Sequence, residues 1–213
     1  MSILKEGYPF ILPPLAVGLA LVIFSRLPVH LPFAVACAVP GLGIVLLIFA
    51  IFCVFFFRDP KIEITWGEGI ILSPCNGKVL ELEEEGEEKI IRVFLSVFNV
   101  HLQRSPVDGT VTNVTHHDGK FFAAWDPRAQ AQNEQNIISI QNDEGLYVVR
   151  QIAGFLARRC VSWVKTGDVL KAGDKIGMIK FSSQVDLHLP KSAVISVKPG
   201  DKVKAGITVV GTK

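Results

Sequence analysis

The chain has 213 residues, enough for one folded domain with a sizeable core plus an accessory segment and too few for two full domains. Mean hydropathy is +0.39 with only 20% charged residues, so an apolar excess must be concentrated in some part of the chain. Lys+Arg number 22 against 20 Asp+Glu, and a net charge of +2 removes the electrostatic case for a nucleic-acid partner.

The excess lies at the start. From Gly7 to Ser25 no side chain is charged, and from Leu27 to Phe57 only His30 titrates. A bilayer needs about 20 apolar residues per helix. The second run exceeds that; the first, Tyr8 to Phe24, is borderline and carries Pro9, Pro13 and Pro14. A cleaved signal peptide is disfavoured because a longer apolar run follows where a soluble domain should begin. A lipid attachment at Cys37 is disfavoured because the residues after it stay apolar. The remaining reading is a membrane-anchoring helical hairpin over residues 1–57, turning at Ser25-Arg26-Leu27-Pro28, with both ends on one side. Lys5, Arg58 and Lys61 flank those ends and favour placing residues 58–213 on the cytoplasmic side of the cell membrane, against Arg26 in the turn.

Residues 58–213 are nearly neutral, since only Lys5, Glu6 and Arg26 among the charged residues precede Arg58. Cys37, Cys53, Cys75 and Cys160 show no Cys-x-x-Cys spacing, so neither structural disulfides nor a zinc site is expected. The acidic run Glu81 to Glu88 reads as a solvated hairpin tip around Gly86. Val93 to Phe98, Ile137 to Ile140, Tyr147 to Val149 and Ile176 to Ile179 read as strands separated by Gly, Pro, Asn and Asp, and a helix is expected only around Ala153 to Val164. Two near-repeats are visible. Ser73-Pro74-Cys75-Asn76-Gly77-Lys78-Val79 is echoed by Ser105-Pro106-Val107-Asp108-Gly109-Thr110-Val111, and Gly167-Asp168-Val169-Leu170-Lys171-Ala172-Gly173 by Gly200-Asp201-Lys202-Val203-Lys204-Ala205-Gly206. Their Asn-Gly and Asp-Gly steps suit tight turns. The fold class expected is mainly β (α+β), a barrel-like sandwich of hairpins with few short helices. Biotinyl and lipoyl carrier domains have this look, but their lysine-bearing tip has no counterpart here beyond Asp174-Lys175.

His101 closes an apolar strand where a side chain can face a cleft, although a lone histidine there is more often structural. His116-His117 sit in a polar stretch without further ligands and read as surface, so no metal is expected. Ser182-Ser183 fall between a strand over Ile176 to Phe181 and another over Val185 to Leu189.

Several blocks, in order, resemble the short-form phosphatidylserine decarboxylases: Phe57-Arg58-Asp59-Pro60, the Ser73 to Val79 segment, Phe94 to His101, Asn133-Glu134, Val149 to Arg159, and Gly177 to Pro190. The resemblance implies self-processing. A serine, here Ser183, attacks the preceding carbonyl, the chain is cut between Ser182 and Ser183, and the new terminus becomes a pyruvoyl cofactor. It also implies decarboxylation of phosphatidylserine to phosphatidylethanolamine, with the pyruvoyl group accepting electrons as a pyridoxal would and His101 returning the proton. Arg150, Arg158 and Arg159 are candidate contacts for substrate phosphate or carboxylate. The partners implied are the phospholipid, the membrane and the two cleaved chains as a heterodimer, with higher oligomers and an ether-lipid substrate left open.

Three positions depart from the family pattern: Asn76 for Asp, Ser182 for Gly and Gln184 for Arg. In the family the aspartate, histidine and serine act as a protease-like triad for the cut. Deamidation at Asn76-Gly77 would restore the aspartate. The alternative function is a non-cleaving homologue that binds lipid or a partner protein.

Overall fold

The two apolar runs become helices in the computed structural model: α1 over Tyr8–Phe24 (17 residues) and α2 over Phe33–Phe56 (24 residues). The structure describes residues 1–28, 32–120, 122, 128–154, 159–180 and 183–213. At 1.5 Å per residue α2 extends about 36 Å, longer than the roughly 30 Å hydrocarbon layer. Both helices are long and apolar enough to cross a membrane, the first counted from Lys5 to Phe24 with a short 3-10 turn at its start. Their contact is set by two glycines. A Cβ on Gly18 would lie 2.9 Å from the Gly43 carbonyl oxygen, and one on Gly43 equally 2.9 Å from that of Gly18, so the backbones touch where no side chain intervenes. The helix ends are tied together. Strand β1 (Ser2–Ile3) pairs antiparallel with β2 (Arg58–Asp59), the Leu4 amide donates to the Phe57 carbonyl at 2.9 Å, and Phe10 stacks on Phe57. Entry and exit of the hairpin therefore lie on one side, within a unit spanning Met1–Lys61.

The second unit, Ile62–Lys213, is built of strands. In chain order they are β3 (Ile70–Leu72), β4 (Gly77–Glu85), β5 (Glu88–Leu95), β6 (Leu102–Arg104), β7 (Gly109–His117), β8 (Gln135–Asn142), β9 (Gly145–Ala153), β10 (Cys160–Ser162), β11 (Val169–Leu170), β12 (Lys175–Ile179), β13 (Ser183–Pro190), β14 (Val194–Ile195), β15 (Lys202–Val203) and β16 (Val209–Thr212), with one helical turn, α3 (Ala129–Gln132). Eight of them form an antiparallel sheet in the order β11-β7-β8-β9-β13-β5-β4-β15, joined by two three-stranded sheets, β10-β12-β6 and β14-β16-β3. Strand alternation assigns the core. Val185, Leu187 and Leu189 of β13 point the same way as Val93 and Leu95 of β5 and Val149 and Ala153 of β9. Ile71 and Val210 of one small sheet and Ile176 and Ile179 of the other join that cluster, which makes the unit a sandwich. Fully burying each such aliphatic side chain stabilises by roughly 1.5–3 kcal/mol.

The repeats in the sequence are repeats in space. Ser73 and Ser105 hydroxyls donate to the carbonyls of Cys75 (2.8 Å) and Val107 (2.7 Å), each two residues on. Gly77 and Gly109 then open β4 and β7, where a Cβ would lie 2.3 Å from the Phe94 carbonyl oxygen and 2.7 Å from that of Gln141. Only glycine lets the partner strand approach so closely. Strand β11 pairs with β7 as β15 does with β4, and Asp168 and Asp201 carboxylates accept the Lys165 and Lys198 amides in matching turns. The acidic run forms the β4–β5 hairpin around Gly86, whose φ of 59° suits the missing side chain. The tip is solvated, with Glu84, Glu85, Glu87 and Glu88 exposed, while Glu81 and Glu83 also pair with Arg92.

The helix expected around Ala153 to Val164 is not what forms among the described residues. Ala153 ends β9 and Cys160–Ser162 is β10, paired with Gly177, Met178 and Ile179 of β12. Gly154 interrupts the helical pattern, and Cys160, Val161 and Ser162 suit a pleated edge at least as well.

Candidate active site

Ser183 is the first residue of β13, and its backbone is paired with Leu95 of β5 on one side and Ala153 of β9 on the other. The strand that would begin a small chain is therefore held along both edges. After Leu95 the chain turns through residues 96–100. The Ser96 amide donates to Asn99 Oδ1 at 2.9 Å, and the Asn99 amide to the Ser96 carbonyl at 2.9 Å, closing a compact loop. His101 follows, 1% exposed. The carbonyl of His101 accepts the Ile179 amide at 3.3 Å, so the histidine lies beside the end of the strand that runs toward Ser183. His101 Nδ1 lies 3.0 Å from the Asn99 carbonyl oxygen. A carbonyl only accepts, so Nδ1 carries the proton in the neutral ring and Nε2 keeps its lone pair, the state a general base needs. Ser182 and Arg158 lie outside the described residues, and of Ser183 only the backbone is described.

Asn76 Oδ1 accepts the Ala205 amide at 3.0 Å. The equivalent residue of the repeat, Asp108, accepts the Ala172 amide at 2.6 Å through its Oδ1. Either side chain fits this turn-tying role, because both offer an oxygen at the same place. The imidazole tautomer is set here by a backbone carbonyl and not by position 76. Asn76→Asp should therefore quicken self-cleavage by less than about tenfold, far from the roughly 10⁴ by which Asp-to-Asn slows a serine-protease triad. The rate at which the small chain appears on a denaturing gel measures this, and an acceleration approaching 10⁴ would mean that position 76 governs the imidazole directly.

Polar groups brace the same end of the sheet. On the face away from the core, Gln184 Nε2 donates to Asp186 Oδ1 at 2.6 Å, and Arg92 Nε lies 3.7 Å from Asp186 Oδ2. Burial pushes the Asp186 carboxyl above its ordinary range, opposed by the Gln184 hydrogen bond and the Arg92 charge. Arg150 is engaged: its Nε donates to Gln135 Oε1 at 2.7 Å and its Nη2 to the Gln130 carbonyl at 2.6 Å. Arg159 is exposed, and its carbonyl accepts the Lys180 amide close before Ser183. Asn133 Nδ2 donates to the carbonyl of Ala153, the residue opposite Ser183, at 2.6 Å. Burial also pushes the Cys75 and Cys160 thiols well up, so neither supplies a thiolate to compete as nucleophile. No group of metal-ligating side chains occurs among the described residues.

The sequence profile of the phosphatidylserine decarboxylase family matches residues 49–211. The chain belongs to that family. Among curated relatives named phosphatidylserine decarboxylase proenzyme, that of Carboxydothermus hydrogenoformans is 43% identical over 178 residues, covering 80% of this chain and 84% of the relative. The one from Symbiobacterium thermophilum is 41% identical over 217 residues, covering 98% and 94%, and the one from Nitratidesulfovibrio vulgaris 40% over 222 residues, covering 100% and 95%.

Within the phosphatidylserine decarboxylase framework, sequence reading assigned no task to three groups at this site: the Asn99 carbonyl, the Asn133 amide and the Gln184–Asp186–Arg92 cluster. For Asp186 a signal existed, a carboxylate between Val185 and Leu187 in an apolar strand. For Asn99 none did, because a backbone carbonyl is the same in every residue. Gln184, one of the departures from the family pattern, keeps an N–H donor on Asp186 where the family arginine would bring a charge.

Proposed function

We propose that this chain is a self-processing decarboxylase that converts phosphatidylserine to phosphatidylethanolamine and CO2. The observation that carries the reading is the buried His101, held as a base by Asn99 and placed beside the strand running to Ser183, in a chain of this family. In maturation the Ser183 hydroxyl attacks the carbonyl carbon of Ser182 and its proton passes to His101 Nε2. The amide becomes an ester with a free amine at residue 183; β-elimination leaves a carboxylate on Ser182 and a dehydroalanine, whose imine tautomer takes up water and releases ammonia to give the pyruvoyl group. The order around Ser183 suits such a terminus, because β13 stays hydrogen-bonded to β5 and β9 once its covalent link is gone.

When formed, the pyruvoyl group supplies an electron sink for the pair left behind as the substrate carboxylate departs. His101 would then deliver a proton to the α-carbon, and its burial keeps competing water from that step. Arg159 and Arg158 are proposed to meet the headgroup carboxylate, with Arg150 holding β9 to α3 instead. The helical hairpin is proposed as the membrane anchor, with the catalytic unit on the cytoplasmic face and the two processed chains remaining together as a heterodimer. One feature favours the non-cleaving alternative: the Asn76 side-chain oxygen is occupied by Ala205 and offers His101 no carboxylate.

The deciding experiment uses the full chain in detergent micelles. With phosphatidylserine it should form phosphatidylethanolamine, and phenylhydrazine, which consumes reactive carbonyls, should stop it. A fully cleaved preparation that leaves the lipid unchanged would overturn the reading.

A further inference from the structure

A line of polar side chains crosses the large sheet on its core-facing side. His116, Asn136 and Gln151 are successive register partners on β7, β8 and β9, with Val185 of β13 next in line. The exposed His116 has its Nδ1 2.6 Å from Asn136 Oδ1, Asn136 Nδ2 donates to Gln151 Oε1 at 3.0 Å, and Gln151 Nε2 donates to Gln103 Oε1 at 2.8 Å. The Asn136 hydrogen bond outweighs burial and raises the His116 pKa, so Nδ1 carries a proton and the orientation of each amide behind it follows. The last of them, Gln103, is fully buried, and its Nε2 has no hydrogen-bond partner among the described residues. An unmet donor in a dry interior is costly unless an acceptor arrives to fill it.

Its place in the fold says which acceptor. Gln103 of β6 follows His101 by two residues, and the two stand opposite Gly177 and the core residue Ile179 of β12, so both belong to the face that looks into the space between the sheets. A Cβ on Gly177 would lie 3.0 Å from Gln151 Nε2, so glycine there leaves room for the two glutamines to meet. Across that space Gln151 precedes Ala153 by two residues on β9, and Ala153 is the register partner of position 183. Leu95, Ala153 and Val185 are core, so position 183 belongs to the same face, about 7 Å along the strand direction from the level of Gln151. The unspent N–H, the imidazole and residue 183 thus border one interior space. A serine headgroup whose amine is held at residue 183 carries carboxylate oxygens on the adjacent carbon, whereas an ethanolamine headgroup carries no acceptor there.

We propose that Gln103 recognises the carboxylate of a serine headgroup, its Nε2 donating to a carboxylate oxygen at the reacting position. This rests on the decarboxylase reading above. The same contact separates substrate from product: once CO2 has left, nothing accepts from Gln103, and a buried donor left unpaired weakens the hold on the ethanolamine headgroup. On this reading the exposed Arg159 draws the carboxylate in and Gln103 takes it over inside. Free serine offers the same amine and carboxylate, so the two sources must be separated by experiment.

The test uses the full chain in detergent micelles, treated with borohydride so that any reactive carbonyl is reduced and no turnover occurs. Glycerophosphoserine, glycerophosphoethanolamine and free serine are titrated by calorimetry. The parent should bind glycerophosphoserine at least about tenfold more tightly than glycerophosphoethanolamine, the factor expected of one hydrogen bond to a charged acceptor. Gln103→Met fills a similar volume without a donor and should cut that preference about tenfold by weakening glycerophosphoserine alone. Gln103→Asn keeps the amide but withdraws it by one methylene; it should show a smaller cut, and it decides the matter if Gln103→Met fails to fold. An unchanged preference in a folded variant overturns the proposal, as does a parent that binds the two ligands equally. Equal weakening of both ligands makes Gln103 a packing residue and also overturns it. Free serine binding as tightly as glycerophosphoserine overturns it in favour of an amino-acid site. If the preference depends on Gln103 while the untreated parent makes no phosphatidylethanolamine from phosphatidylserine, the decarboxylase reading fails and the carboxylate site stands.

Discussion

Ser183→Ala should leave the chain whole. The parent protein is expected to run on a denaturing gel as a large chain ending at Ser182 and a small chain that begins at residue 183 with a blocked terminus. The variant should run as a single species of 23.3 kDa. The expected effect is complete, because the hydroxyl oxygen is both the attacking atom and, once acylated, the leaving group whose departure from the β-carbon makes elimination possible, and a methyl group can do neither. Phosphatidylethanolamine formation should vanish with the small chain. Ser182→Ala serves as the control: it removes the neighbouring hydroxyl and should still allow the cut. Survival of the small chain in Ser183→Ala would move the scissile bond elsewhere and end the assignment.

His101→Gln should slow self-cleavage by at least about 10³-fold, in the range by which loss of a positioned general base slows such reactions. Gln is close in volume, so the site stays filled and thermal stability should change little. The pH profile of cleavage separates a base from a packing residue. The parent rate should fall as the imidazole protonates, and the residual rate of the variant should lack that inflection. Cleavage of His101→Gln at the parent rate would remove His101 from the chemistry and leave the Asn99 contact as packing alone.

The parts of the fold legible in the sequence were those with local causes. The apolar runs announced α1 and α2, Gly86 announced the β4–β5 hairpin, and the duplicated Ser-Pro and Gly-Asp segments announced turns that share many of their hydrogen bonds. Register was not legible. Nothing near Ser183 says that it lies opposite Leu95 and Ala153, because strand pairing is settled by the burial of Val185, Leu187 and Leu189 against residues far along the chain. The same holds at the site. The family resemblance implies that Asn76 stands at the orienting position of a triad, yet its side chain bonds to Ala205, 129 residues away. The repeat contained the hint, since Asp108 and Ala172 stand in the same relation. The misplaced helix at Ala153 to Val164 has the opposite cause: an unremarkable local pattern yielded to pairing with β12.

The central position of β13 has a consequence for how such a molecule can be made. While the peptide is intact, closing the sheet is a first-order event within one chain. A cut at the proposed position before Ser183 would place the middle strand and β14 to β16 in a second molecule, and every refolding event would then have to bring two molecules together at solution concentration rather than at the high effective concentration of a linker. The uncut chain can unfold and return; the matured one, once apart, reassembles only as fast as dilution allows. Cleavage thus makes the folded state a product of history, and the order fold first, cut second is imposed by the sheet itself.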